Sequence, residues 1–229
     1  TSPISFVASA NCALYCGAKV DFVDIHLDTY NLNTESLGKK LEEAKIEGCL
    51  PKVVIPVHMC GQSADMKSIG ELSKKYGFRV IEDASHAVGG SYYGQYVGSC
   101  RYSDVTIFSF HPVKILTTGE GGMAVTNDAD LANMMVELRS HGITRDPERM
   151  ESPPHGDWYY QQIRLGFNYR MTDIAAALGL SQFGDLNRRV EDRNRLAGSY
   201  DRLLTNLEVT TPFIKTGVVS SFHLYVIKL

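Results

Sequence analysis

A carboxylate and an amine stand about thirty residues apart in this chain, each beside the end of an apolar run. The carboxylate is Asp83, in Ile81-Glu82-Asp83-Ala84-Ser85-His86-Ala87. The amine is Lys114, in Ser109-Phe110-His111-Pro112-Val113-Lys114-Ile115-Leu116-Thr117-Thr118-Gly119-Glu120-Gly121-Gly122, with a small hydroxyl residue and a glycine-rich turn beside it. A lysine amine forms Schiff bases with carbonyl carbons, and a fixed carboxylate holds a heterocyclic nitrogen protonated. Together these are the parts that pyridoxal phosphate chemistry requires. Taken alone, a lysine in a hairpin is an ordinary surface residue and a strand-end aspartate commonly caps a turn. Their joint placement is what carries chemical meaning.

The elements that must position them follow from periodicity. Short apolar runs alternating with helical patterns predict an α/β domain with a mostly parallel sheet. Strands are expected at residues 4–7, 20–24, 52–58, Arg79–Asp83, 104–110, 122–126 and 222–227. A helix is expected over 34–44 with Thr34 as its N-cap. Met66–Tyr76 repeats apolar residues at helical spacing (Met66, Ile69, Leu72, Tyr76) and is stopped by Gly77. A third helix is expected over 131–141, ended by Gly142, and a long one from Thr172 to about Leu207, breaking near Gly184 or Gly198. Residues 145–160, rich in Pro, Arg and aromatics without a period, read as an exposed loop. Residues 1–207 are thus expected to form a large domain and 208–229 to begin a smaller one. The strand-like ends, without polar tails, predict that the sequence is part of a longer chain. Asp83 and Lys114 both fall at or just past C-terminal strand ends, the edge at which open α/β sheets bind ligands. Glu120-Gly121-Gly122 has no helix after it, so it reads as a tight hairpin turn and not as a phosphate loop.

Composition narrows the function classes. The 229 residues are enough for a full core, and 44% hydrophobic with 21% charged residues is ordinary for a soluble globular protein. A net charge of −3 makes no electrostatic case for nucleic acid. No apolar run approaches the roughly 20 residues of a transmembrane helix, and no signal peptide is visible. The five cysteines are irregularly spaced, with no C-x-x-C pair and no histidine spacing suited to zinc, which predicts reduced thiols, no metal and a cytoplasmic location. Neither G-x-G-x-x-G nor a Walker loop is present.

Several further segments extend the pattern: Pro3-Ile4-Ser5-Phe6-Val7-Ala8-Ser9-Ala10-Asn11, Gly17-Ala18-Lys19-Val20-Asp21-Phe22-Val23-Asp24, and Val54-Ile55-Pro56-Val57-His58 with Gly61. Leu165-Gly166-Phe167-Asn168-Tyr169-Arg170-Met171-Thr172-Asp173 and Phe222-His223-Leu224-Tyr225 complete it. With the Asp83 and Lys114 segments, and in this order, they resemble the DegT/DnrJ/EryC1/StrS family of pyridoxal phosphate-dependent sugar aminotransferases. The resemblance covers nearly the whole chain. It implies the type I, aspartate aminotransferase-like large domain, here with the start of the small C-terminal domain. The form Ser-Phe-His-Pro-Val-Lys is further similar to the subgroup that aminates a nucleotide-linked 4-keto-6-deoxy-N-acetylhexosamine on the route to pseudaminic acid.

The resemblance also implies roles. Lys114 would form the Schiff base and carry the proton between carbons, and Asp83 would pair with the pyridine nitrogen. His86 would hydrogen-bond beside the phenolic oxygen, Phe6 would stack on the ring, and Ser109 would donate to the phosphate. Asn168 would reach the phosphate in a partner subunit, which implies a homodimer with shared active sites. Arg170 would be a second cross-subunit or substrate contact, or a salt-bridge partner, and His223 would approach the substrate. Tyr15, His58 and His111 are candidate neighbours without assigned roles. Glutamate is the implied amino donor and a nucleotide-linked keto sugar the acceptor, for surface polysaccharide or nonulosonic acid synthesis. The family's other phosphate anchor, a Gly-Thr loop, would lie upstream of Thr1. Two alternatives stay open: a sugar dehydratase of the same fold, which carries histidine in place of the Schiff-base lysine, and a non-catalytic regulatory or dimerisation module.

Overall fold

A computed structural model describes all residues from Thr1 to Leu229. The elements, in chain order, are α1 (Ala8–Tyr15), α2 (Thr34–Ile46), β1 (Val53–Val54), α3 (Met66–Tyr76), β2 (Arg79–Asp83), β3 (Ser91–Tyr92), β4 (Gln95–Tyr96), β5 (Val105–Ser109), β6 (Gly122–Val125), α4 (Ala129–Leu138), β7 (Ile143–Thr144), β8 (Gln161–Gln162), α5 (Asp173–Phe183), α6 (Leu186–Leu204) and β9 (Val218–Val219). The central sheet has the order β1-β2-β5-β6. β1, β2 and β5 run parallel, and β6 returns antiparallel to β5 with Ser109 opposite Gly122. The expected α/β architecture with a mostly parallel sheet is what the chain adopts.

Local chemistry accounts for the regular elements. α3 starts where Asp65 accepts the Ser68 N–H and stops at Gly77, whose φ of 79° is left-handed and suits a residue without Cβ. Its Met66 and Ile69 join Leu32, Leu41, Val54 and Val80 in one apolar cluster against the sheet. A second cluster places Phe108, Phe110, Ile115 and Leu116 against Leu186 and Val190 of α6. It is this second cluster that anchors the Lys114 loop.

The structure revises several expected elements. Residues 4–7 are a bend leading into α1, not a strand: Ser9 and Ala10 donate their N–H groups to the Phe6 and Val7 carbonyls, which commits the segment to a helical turn. Residues 20–24 join no ladder, and only an Ile25–Leu32 bridge follows. Residues 222–227 form no strand either, because Phe222 takes a left-handed φ of 44° that breaks an extended run. Within 52–58 only Val53–Val54 pair fully, since Pro56 has no N–H to offer a ladder; Val57 regains a parallel bridge to Asp83. α2 is capped by Asn33, whose side chain accepts from Glu35 N–H and Ser36 N–H, and Thr34 is already helical. The long helix breaks at Gly184–Asp185 into α5 and α6, and Gly198 lies inside α6. No helix is long and apolar enough to cross a membrane.

Gly142 closes the turn between α4 and β7 at φ +70°. A Cβ there would lie 1.8 Å from the carbonyl oxygen of Arg164, whose side chain, with that of Arg149, is paired to the Glu137 carboxylate. Gly142→Ala is expected to cost about 3 kcal/mol or more of stability, read as a lowered urea midpoint, because both the dihedral and the backbone contact must be broken.

Candidate active site

Asp83 is delivered to the sheet edge by its own main chain. Its N–H donates to Pro56 O at 2.9 Å, its carbonyl accepts the His58 N–H at 3.0 Å, and Ala84 N–H donates to Ile107 O on the other side. The residue is thereby locked between two neighbouring strands at the C-terminal end of β2. Its carboxylate accepts the Ser85 N–H on Oδ1 at 3.1 Å and the Ser9 hydroxyl on Oδ2 at 2.5 Å.

Behind it, Glu82 and His58 form a buried support. Ala64 N–H donates to His58 Nδ1, so the ring proton sits on Nε2 and is donated to Glu82 Oε2 at 2.7 Å. Burial pushes the Glu82 carboxyl up, but hydrogen bonds from His58, Ser103 and Thr106 outweigh it and hold the group below its ordinary range. His58, fully buried and fully partnered, is a structural residue.

Lys114 lies in the loop between β5 and β6. Its N–H donates to His111 O, Phe110 N–H donates to Gly121 O, and Thr118 N–H returns to Phe110 O, while Ile115 and Leu116 are buried beneath. The expected hairpin is therefore present, with a side of its loop pinned into the core. Burial lowers the proton affinity of the Lys114 amine, and the nearby Asp83 charge opposes that shift.

His86 and His223 complete the set. Their rings lie 4.4 Å apart between centroids, tilted by 39°, and the Nδ1 atom of each is buried without a hydrogen-bond partner. Burial first, then the Lys114 ammonium, pushes His86 down to about 4 against the pull of Asp83. Burial, His86, Lys114 and Arg193 push His223 down to about 4. Lys114 thus acts electrostatically on both imidazoles, and Asp83 acts on His86 and on Lys114. The four groups form one electrostatically linked cluster. Both imidazoles are expected to stay neutral at pH 7 in the cofactor-free protein and to titrate near pH 4, read by histidine NMR. Because these values lie below the ordinary 6.5, the stability tied to neutral imidazoles is full above about pH 6.5 and is lost as pH falls toward 4. A titration at the ordinary value would show a pocket open to water.

His223 reaches this place through stitching that a strand would not supply. Ser221 donates its N–H to Gly61 O and its hydroxyl to His86 O, Arg193 donates to Phe222 O at 2.9 Å, and Asn194 donates to Ser220 O at 2.8 Å. A Cβ on Gly61 would meet Ser221 Oγ at 2.7 Å, so that glycine is needed for the close approach.

The other candidates divide. Ser109 stands at the end of β5, and its hydroxyl oxygen accepts the His111 N–H at 3.4 Å, leaving the hydroxyl proton to donate. Phe6 is 73% exposed in the bend before α1. Asn168 bridges Ser140 through the main chain, Asn168 and Arg170 are exposed, and neither takes part in the Asp83–Lys114 set. Tyr15 is exposed, and His111 faces Glu120 at 3.8 Å on the surface. Two groups of functional interest escape sequence reading. Ser9 was hidden by the strand expected at 4–7, although the Ser5/Ser9 spacing is that of one helical face. Arg193 gave no local signal at all.

The chain is also similar to known proteins. The sequence profile of the DegT/DnrJ/EryC1/StrS aminotransferase family matches residues 1–229. The chain is 40% identical over 236 residues to a UDP-4-amino-4,6-dideoxy-N-acetyl-beta-L-altrosamine transaminase of Campylobacter jejuni, covering 100% of this chain and 57% of the relative. It is 39% identical over 231 residues to a GDP-perosamine synthase of Caulobacter vibrioides, covering 99% and 56%. It superposes on Helicobacter pylori PseC, an aminotransferase involved in the biosynthesis of pseudoaminic acid, with a TM-score of 0.87 at 33% identity, covering 99% of this chain and 56% of that one. The chain therefore spans a little over half the length of the relatives it matches. By the family match over its full length, the chain belongs to the DegT/DnrJ/EryC1/StrS aminotransferase family.

Proposed function

We propose that the whole protein is a pyridoxal phosphate-dependent aminotransferase that moves an amino group from glutamate to a nucleotide-linked keto-deoxy sugar. The acceptor we propose is a UDP-4-keto-6-deoxy-N-acetylhexosamine, serving surface polysaccharide or nonulosonic acid synthesis. What supports this reading is Asp83 at the C-terminal end of β2, with Lys114 and His86 in electrostatic range of it and the His223 ring 4.4 Å from that of His86.

The donor set fits the cofactor. Lys114 Nζ would hold its carbonyl carbon, Asp83 its ring nitrogen, and the Ser109 hydroxyl a phosphate oxygen. The buried, unpartnered Nδ1 atoms of His86 and His223 are what a polar ligand would satisfy. Bound there, the cofactor supplies a ring that takes up negative charge from a carbon losing its proton. The residues of the chain do the rest. Asp83 keeps a negative charge at a fixed point, held by Ser85 and Ser9. Lys114, with its proton affinity lowered by burial, releases a proton from Nζ more readily than a surface lysine does, as a proton carrier must. His86 and His223 add polarity without adding a positive charge that would compete for Asp83.

A homodimer with shared sites is part of the same reading. α5 is apolar around its circumference yet exposes Ile174, Leu178, Leu180 and Phe183, and the exposed Asn168 and Arg170 precede it. A helix apolar on all sides needs cover.

The test is to incubate the intact protein with pyridoxal phosphate, glutamate and UDP-4-keto-6-deoxy-N-acetylhexosamine. Formation of 2-oxoglutarate with an equal amount of amino sugar, seen by mass spectrometry, is the expected result. A protein that shows no cofactor absorbance and consumes no glutamate with any nucleotide keto sugar would sink the reading.

A further inference from the structure

α1 is an unusual helix. Its apolar residues Leu14 and Tyr15 face solvent, and its one buried residue is a serine, Ser9. A helix docked for stability alone would bury an apolar side chain. Here the buried contact is polar and aimed at the carboxylate of Asp83, 74 residues away in sequence.

The protons can be assigned by counting. Asp83 Oδ2 can only accept, so the Ser9 hydroxyl spends its single proton on it. Ser5 Oγ lies 3.0 Å from Ser9 Oγ, and since the Ser9 proton is already committed, Ser5 must be the donor. The hydroxyls thus form a directed chain, Ser5 to Ser9 to Asp83, in which each bond polarises the next. From the opposite side the Ser85 N–H donates to Oδ1. Donors on both oxygens, one from α1 and one from the turn after β2, fix the plane of the carboxylate. A carboxylate has about four lone-pair sites, so acceptor capacity remains for a ligand.

We propose that Ser9 is a positioning residue for Asp83: its hydroxyl, backed by Ser5, holds the carboxylate in one orientation and keeps its negative charge available to a protonated ring nitrogen. This rests on the cofactor reading above. Removing the hydroxyl leaves Asp83 free to rotate, so its ion pair with the ring nitrogen loosens and the nitrogen holds its proton less firmly.

The experiment uses the intact protein loaded with pyridoxal phosphate labelled with 15N in the ring, comparing Ser9→Ala, Ser9→Thr and Ser5→Ala. In the parent protein the nitrogen resonance is expected in the protonated range. In Ser9→Ala it should move toward the unprotonated range, with cofactor affinity about tenfold weaker, the loss expected for a hydrogen bond to a charged group. Ser9→Thr retains the hydroxyl and should restore both, and Ser5→Ala should give a smaller shift of the same sign. Helix docking is followed separately by the unfolding midpoint of the cofactor-free protein, which should change little. A Ser9→Ala protein with unchanged nitrogen resonance and affinity overturns the proposal while leaving the cofactor reading intact. So does an affinity loss that merely follows the unfolding midpoint and that threonine fails to rescue. If Ser9→Ala does not fold, an unshifted nitrogen in Ser5→Ala overturns it. A parent protein that takes up no cofactor overturns both this proposal and the reading beneath it.

Discussion

Lys114→Ala is expected to lower kcat of the intact enzyme by at least about 10⁴-fold, because one amine serves as both covalent anchor and proton carrier. The side chain is only partly buried, and the loop that carries it is pinned by Ile115 and Leu116. The variant should therefore fold normally, with a urea midpoint close to that of the parent. Lys114→Arg keeps the positive charge but supplies no nucleophilic amine, so it should be nearly as inactive. The direct check is borohydride reduction of the cofactor-loaded parent followed by peptide mass spectrometry. The adduct is expected on Lys114, and an adduct on any other lysine would remove the central residue from the account. Loss of the ammonium should also let both His86 and His223 titrate at higher pH, since Lys114 contributes to holding them down.

Asp83→Asn is expected to lower kcat by about 10²- to 10⁴-fold, the range associated with mis-set proton transfer. Asparagine keeps the size of the side chain, and its carbonyl oxygen can still accept the Ser85 N–H. It cannot keep the charge, and its amide nitrogen cannot accept the Ser9 hydroxyl proton. A ring nitrogen bound there should lose its proton, which the 15N resonance of the labelled cofactor would report. Asp83→Glu should not rescue the loss. The main chain at this position is held by bonds to Pro56, His58 and Ile107, so the extra methylene moves the carboxylate away from the Ser9 and Ser85 donors. Activity within threefold of the parent in Asp83→Asn would mean that the carboxylate serves the turn at Ser85 and not the chemistry.

How much of this was legible beforehand depends on the range of the forces involved. α3, with its Asp65 cap and Gly77 stop, and β2, which ends at Asp83, match their expected bounds. Their signals come from residues within a turn of each other. A break in the long helix was legible for the same reason, but its place at Gly184 and not Gly198 was not. Residues 4–7, 20–24 and 222–227 were expected as strands because apolar content resembles strand content. A strand also needs a neighbour to receive its hydrogen bonds, and that neighbour is not encoded locally. Thr34 and Asn33 are both good caps, and the choice between them was decided by the dihedral at Asn33.

The sequence by itself determined that an acid ends one strand and an amine follows another, with a hydroxyl and a glycine turn beside the amine. Those facts need only periodicity and the chemistry of side chains. Tertiary structure alone decided that Ser9 donates to Asp83, that His223 comes to rest against His86, and that burial keeps both imidazoles neutral. Such contacts join segments far apart in the chain, and their partners are chosen by how whole elements pack, with desolvation setting their charge.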